Sequence, residues 1–383
     1  AGLNLCNTAE SAIHQPKFFN YLGINSARMG DYPKAFEYLQ RSLDLTYETN
    51  DLNLRSLVWN NIGSIYRLQS EMPKALEYYS KALVIARQQN NNKATSLSLH
   101  NIGTAYALLG EYVDALEYFL RCETLQQYDN KDDKTYSDTL NSIGNIYEKL
   151  LNYDKALEYY KKSIAIRQLY NDFYLQADSL HNIGIIYQVK GDYDQAYEYY
   201  RQSLQLRESI GDKKGVSLSL NGLGQILTIL GNTEEAVDYH MRSIAIAEAT
   251  HNKIDKVYFL INLSETLIKQ SDITGAFEYL YLALSIAEEL EIPVQIREIY
   301  HTLSEAYKLD GNTEQALEYF IRFHNMDKEI FSTVNSQKIQ SLQTLHQVEQ
   351  TRQETEIYRL KNVELAAALT NLEEANARLT ILN

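Results

Sequence analysis

The chain has 383 residues, a formal net charge of −14 and only two cysteines, Cys6 and Cys122. An acidic surface with no Lys/Arg-rich run excludes general nucleic-acid binding, and two cysteines exclude a disulfide framework or a cysteine zinc site. With 4 Pro and 16 Gly little interrupts long helices; no apolar run is long enough to span a bilayer and no signal peptide opens the chain, so a cytoplasmic protein without membrane insertion is expected.

The elements are defined by a repeat. Gly23, Gly63, Gly103, Gly144, Gly184, Gly224, Ser264 and Ser304 are 40 residues apart, with a single interval of 41 whose extra residue lies around Tyr128–Tyr136. One residue before each stands Leu or Ile, four before it a large apolar residue (Phe19, Trp59, Leu99 and so on), and three after it most often Tyr (Tyr66, Tyr106, Tyr147, Tyr187, Tyr307). Offsets of −4, −1, 0 and +3 form one stripe of a helix, with the small residue allowing a neighbour to come close. A turn follows, marked by Gly30, Gly110, Gly191, Gly231 and Gly311, as suits a helix end needing positive φ. The second helix of each copy carries an invariant alanine, from Ala35 to Ala316. A large residue stands four positions on, and in seven copies a small one three further, giving a tightly packed face.

Against this frame, residues 1–15 align with the end of a second helix, Leu3 and Leu5 matching Leu43 and Leu45. They are expected to be the remnant of a preceding repeat, and the chain a piece of a longer protein. Residues 16–331 hold eight repeats. Each second helix also has an acidic residue followed by Tyr (Glu37-Tyr38 through Glu318-Tyr319), which explains much of the count of 31 Tyr. The expected role of these tyrosines is packing between repeats with a wet hydroxyl.

The pattern Trp59-x-x-Ile62-Gly63-x-x-Tyr66 followed by Ala75-x-x-x-Tyr79-x-x-Ala82 resembles the tetratricopeptide repeat family, over about residues 16–323. The resemblance implies an all-α, right-handed superhelical solenoid of paired antiparallel helices. The period of 40 exceeds the family's usual ~34, and the excess is expected to lengthen both the helices and the loops between repeats.

From Ser332 onward the repeat is gone and no Pro or Gly occurs. Leu365, Leu372 and Leu379 recur every seventh residue, with Asn362, Leu369 and Asn376 as the companion series. This predicts a C-terminal helix over 332–383 forming a dimeric coiled coil, since paired buried Asn fix register. A shifted phase at Ile357 and Leu360 predicts a stutter upstream. A lone amphipathic helix folded back on the solenoid is the alternative.

Catalytic patterns are missing: there is no phosphate-binding Gly loop, no HExxH, no paired Cys-x-x-Cys and no G-x-S-x-G elbow. No enzyme activity, metal or cofactor is therefore expected of the chain itself. Polar residues instead concentrate three and two positions before the small residue of the first helix: Asn60, Asn61, His100, Asn101, Asn141, His181, Asn182, Asn221, Asn262 and His301. Arrays of the resembled family line a concave groove with first helices, and some hold a peptide backbone with asparagines at this place. Asn61, Asn101, Asn182 and Asn262 match it; Tyr21, Ser142, Gly222 and Thr302 do not. An amide offers both donor and acceptor to an extended peptide, but hydrogen bonding between neighbouring helices would leave the same trace. The shared histidine position raises a pH-sensitive groove as a further expectation.

Repeats followed by a dimer-type helix imply a sensory region controlling an output domain beyond Asn383. Residues 356–365 and 372–376 resemble linkers that precede GGDEF-type diguanylate cyclase domains in bacterial proteins; similar linkers precede histidine kinases and nucleotide cyclases. The expected partners are a peptide or protein ligand in the groove and a second copy of the chain. A stand-alone scaffold or peptide receptor is the alternative.

Overall fold

The computed structural model describes residues 9–129, 134–328 and 330, and among these every regular element is a helix. The helices alternate as first and second members of each repeat. Repeat one is α1 (Ala9–Arg28) with α2 (Tyr32–Glu48), repeat two α3 (Leu52–Leu68) with α4 (Met72–Gln88), and repeat three α5 (Asn92–Leu108) with α6 (Tyr112–Asp129). Repeat four pairs α7 (Lys134–Lys149) with α8 (Tyr153–Leu169), repeat five α9 (Phe173–Val189) with α10 (Tyr193–Ser209), and repeat six α11 (Lys213–Leu230) with α12 (Thr233–Ala249). Repeat seven is α13 (Lys253–Lys269) with α14 (Ile273–Glu289). In repeat eight α15 (Pro293–Leu309) is followed by α16 (313–328).

The long period has a simple origin. Helices of 17 residues alternate with three-residue turns, so the excess sits in the helices. The expected lengthening of inter-repeat loops is not found among these turns, because both turns use the same compact chemistry. After each first helix, Gly30, Gly110, Gly191, Gly231 and Gly311 take φ between 78° and 87°. Ser70, Leu151 and Ser271 adopt the same left-handed state where glycine is missing. Among the described residues, turns after second helices are also left-handed, at Asn50, Asn90, Asn171, Gly211, His251 and Glu291. Asp31, Asp51, Asn91, Asn152, Asp192, Asp212, Asn252 and Asp272 then cap the next helix with their side chains, satisfying an otherwise orphaned N–H.

The stripe of each first helix meets its partner at the small residue. A Cβ on Gly63, Gly103, Gly144 or Gly184 would lie 2.7–2.9 Å from the ring of Tyr79, Phe119, Tyr160 or Tyr200. Alanines 35, 75, 115, 156, 196, 236 and 276 are fully buried. The core is accordingly a chain of clusters handed from repeat to repeat, from Ala35 and Val58 at one end to Leu280 and Leu303 at the other, as in a quasi-one-dimensional stack.

The second-helix tyrosines pack both within their own repeat and on the repeat before, as Tyr159 does through its hydroxyl on Glu123 and Tyr279 on Met241. Tyr78, Tyr118, Tyr159 and Tyr199 stack on Tyr66, Tyr106, Tyr147 and Tyr187 at 5.4–5.6 Å. In six of the eight repeats the acid before the tyrosine pairs with a cation four residues on, as Glu77 with Lys81 and Glu158 with Lys162 at 2.5 Å. That cation in turn covers the tyrosine ring.

α1 runs unbroken from Ala9 to Arg28, so the expected boundary between residues 15 and 16 falls inside a helix. Residues 9–15 enter the first helix of repeat one, at the place where Leu52 opens α3 one period later. The expected coiled-coil positions Asn362, Leu365, Leu369, Leu372, Asn376 and Leu379 lie outside the described residues, as do residues 1–8. Among the described residues no helix is long and apolar enough to cross a membrane, and no cluster of three His, Cys, Asp or Glu is placed to hold a metal ion.

Candidate functional site: the first-helix face

First helices approach one another along the stack: α1 meets α3, α3 meets α5, α5 meets α7, and α9, α11, α13 and α15 follow in turn. Second helices make no comparable contacts with each other. The rank that crowds more closely is the inner side of a curved stack, so the first helices form the concave face, where the resemblance places the groove.

The asparagines expected there are largely bonded to each other. Nδ2 of Asn61 donates to Oδ1 of Asn20 at 2.8 Å, Asn101 to Asn60 at 3.0 Å, and Asn262 to Asn221 at 3.1 Å. Asn182 donates to Asn145 at 3.2 Å, and Ser179 donates to Asn141 at 2.7 Å. Asn60 also gives its Nδ2 to Ser56 O and Ser98 Oγ. These are rungs between neighbouring first helices. A signal for them existed in the sequence: Asn occurs two before the small residue only where the preceding repeat has Asn three before it. Where that position is His100, His181 or Ile261, the next repeat has Ser142, Gly222 or Thr302.

The histidines differ. His100 lies edge-on to Phe119, with Nδ1 3.3 Å from Thr139 Oγ1, and burial lowers its pKa to about 4. His181 rests on Tyr200, its Nδ1 has no partner, and burial lowers it to about 3. Both are neutral at physiological pH, which does not fit the expected pH-sensitive groove. His301 is exposed over Phe323. The buried histidine that the sequence reading passed over is His240, whose Nδ1 faces Asn221 Oδ1 at 3.0 Å.

Two further features emerge only in three dimensions. A cavity of about 410 Å³ opens between α3, α5, α6 and α7, walled by Leu57, Leu97, Ala94 and Leu125 and reaching Asn60 and His100. Thus two of the expected groove residues line a real opening. Beyond it, buried arginines from second helices reach the same face. Arg167 pairs with Asp138 at 3.0 Å and Arg207 with Asp178 at 2.6 Å. Arg207 also donates to Gly215 O and Ser219 Oγ.

Family models described as tetratricopeptide repeat match residues 54–127 and 175–249, and residues 137–168. Tetratricopeptide repeats are thus recognised in this chain. No curated protein matches the sequence. Among solved structures, the chain resembles a signal transduction ATPase with numerous domains (STAND) carrying a tetratricopeptide repeat sensor, from Pyrococcus horikoshii. The TM-score is 0.63 at 16% identity, over 88% of this chain and 52% of that one. It also resembles the apo quorum sensor NprR from B. thuringiensis (TM-score 0.58, 20% identity, 80% of this chain and 87% of that one). A third is the Rap conjugation gene regulator of plasmid pLS20 in complex with the Phr* peptide (TM-score 0.54, 16% identity, 75% and 78%). At these identities the likeness is one of fold.

Proposed function

We propose that the chain is a regulatory receptor that binds an extended peptide, or a peptide segment of a protein, along the first-helix face. The observation that carries this is the cavity at Asn60 and His100, opening on a face already braced by asparagine rungs. Those rungs fix the inner rank without a ligand, so the surface is preorganised, and preorganisation lowers the cost of binding. The structural resemblance to a Rap regulator solved with a peptide supports the same ligand class.

Panning a displayed library of random linear peptides on residues 1–383 tests this. Related sequences should be enriched and should protect amides of α3, α5 and α7 from hydrogen exchange. No enrichment, or protection confined to second helices, would sink the reading.

The finer reading is a sensory and dimerising region that controls a diguanylate cyclase output domain. It rests on the resemblance of residues 356–365 and 372–376 to linkers before such domains. Ligand in the groove would alter solenoid curvature or dimer contacts, and the C-terminal helix would transmit the change. If Leu372→Pro left output and its regulation unchanged in the full-length protein, this transmission would be refuted. A stand-alone scaffold uses the same groove, and the STAND sensor likeness suits either arrangement.

A further inference from the structure

At the cavity, one pair of side chains that fills the space between ranks in repeats four and five is exchanged for shorter and uncharged ones. Gln126, Arg167 and Arg207 occupy one equivalent position of consecutive second helices, and Leu97, Asp138 and Asp178 one equivalent position of the first helices. In repeats four and five the Arg–Asp pair fills the space between ranks, with the arginine side chains 1% and 3% exposed. Arg207 reaches across to Gly215 O and Ser219 Oγ of the next repeat. In repeat three the same space is edged by Gln126, Thr135 and Thr139, and no arginine enters it. One repeat earlier the pair is Ala86 and Leu57. The missing pair leaves room for the opening of about 410 Å³; repeats six and seven lack it too, with Ala247 and Leu218, and Ala287 and Tyr258, at these positions.

Its chemistry is selective. Leu57 and Leu97 are 38% and 40% exposed at the walls, an apolar surface that gains by being covered. The polar groups include His100, Gln126 and Thr139, with Lys93 and Asp138 also on the lining and Asp138 held by Arg167; the buried histidine presents no charge to an occupant. Asn53, Asn91 and Asn92 edge the opening, groups that complement peptide N–H and C=O. The volume is at the small end of ligand sites, which run from about 300 to 1,000 Å³. It is too small for a partner helix and suited to a side chain projecting from a strand of peptide.

Building on the peptide-receptor reading, we propose that this cavity is the anchor subsite of the groove and takes one large apolar side chain, aromatic or leucine-like, of an extended peptide. Repeats four and five, filled by their own Arg–Asp pairs, offer no second such pocket. Seated between α3, α5, α6 and α7, the anchor fixes the register of the peptide on the array.

The test transplants the filled state. Leu97→Asp with Gln126→Arg recreates in repeat three the pair that repeats four and five tolerate, and Ala94→Phe fills the cavity by an independent route. Peptides enriched on the unaltered chain are titrated against both variants, with circular dichroism melts establishing that each is folded. The expected result is a consensus with one large apolar residue, and affinity at least tenfold weaker on every folded variant. A tenfold loss corresponds to ~1.4 kcal/mol, within what burying one large apolar side chain contributes. Enriched peptides that bind both variants undiminished, or that share no apolar residue, overturn the anchor while leaving the receptor reading intact. Failure to enrich any peptide overturns both. Should the double variant not fold, Ala94→Phe alone decides.

Discussion

Asn221 Oδ1 accepts two hydrogen bonds at once, from Asn262 Nδ2 at 3.1 Å and from His240 Nδ1 at 3.0 Å. The first joins α11 to α13 across consecutive repeats; the second joins α11 to its own partner α12. Asn262 is 5% exposed and His240 fully buried, so neither donor has water to fall back on. Asn221→Ala should cost roughly 1–3 kcal/mol, the penalty of orphaning buried donors. Because a repeat array unfolds by neighbours, the loss should appear as faster amide exchange in α11–α13 with little change in α3–α5. Uniform destabilisation of the whole array would contradict this account.

The buried histidines make the array acid-sensitive. His100 and His240 are lowered to about 4, and His181 to about 3, in each case chiefly by burial. Unfolded histidine titrates near 6.5, so below that pH the unfolded chain takes up protons that the folded chain refuses. The sign follows: stability is full above about pH 6.5, falls as pH drops towards about 4, and levels off for each group below its folded value. Within the window each histidine contributes a slope approaching roughly 1.4 kcal/mol per pH unit. Urea melts at a series of pH values check this, and His240→Phe, which places Phe where Phe119 stands in repeat three, should flatten the slope. A pH profile unchanged by His240→Phe would show that the ring titrates in the folded chain.

The architecture was legible in the sequence because its causes are local and repeated. Gly63 is small because Tyr79 lies against it, and Gly110 takes positive φ because a three-residue turn demands it; each cause recurs every 40 residues. The asparagines were legible as a row but not as rungs. Asn101 reads the same whether its amide meets a peptide or Asn60 of the preceding repeat, and only the pairing of positions across repeats separates the two. The cavity was less legible still, since nothing about Gln126 or Leu97 alone marks a void. It becomes visible only when their equivalents Arg167 and Asp138 are seen to fill the same place. The boundary at residue 15 failed for a different reason: alignment to the turn before α3 locates the repeat, not the residue at which a helix starts.

The contact between Gly184 and Tyr200 predicts a steric penalty that a second change removes. A Cβ on Gly184 would sit 2.8 Å from both Cδ1 and Cε1 of the ring. Tyr200 is held in place by its hydroxyl, which donates to Gln188 Oε1 at 2.8 Å, so the ring has little freedom to retreat. Gly184→Ala should destabilise by roughly 1–3 kcal/mol through overpacking. In the Tyr200→Ala background the added methyl meets no ring, and the same substitution should cost much less. A double-mutant cycle in urea measures the coupling; additive costs would mean that the close approach does not constrain the pair.

The two buried arginines give the last prediction, because they occupy equivalent positions yet are differently satisfied. Arg207 donates to Asp178, Gly215 O and Ser219 Oγ. Arg167 has one such bond, from Nη2 to Asp138, and its Nε and Nη1 are buried without a hydrogen-bond partner. Burial holds the Arg167 pKa below the usual guanidinium value, only partly offset by Asp138. Replacing a poorly satisfied buried cation by an apolar side chain of similar length is often neutral or stabilising, whereas removing a well-bonded one strands its partners. Arg167→Met should therefore leave the midpoint unchanged or raise it. Arg207→Met should lower stability by roughly 3 kcal/mol, as its acceptors at Asp178 and Ser219 lose their donor. Parallel urea melts of the two variants decide the matter. Equal losses would mean that the arginines contribute through the volume they fill, and the difference in their hydrogen bonding would then have no energetic consequence.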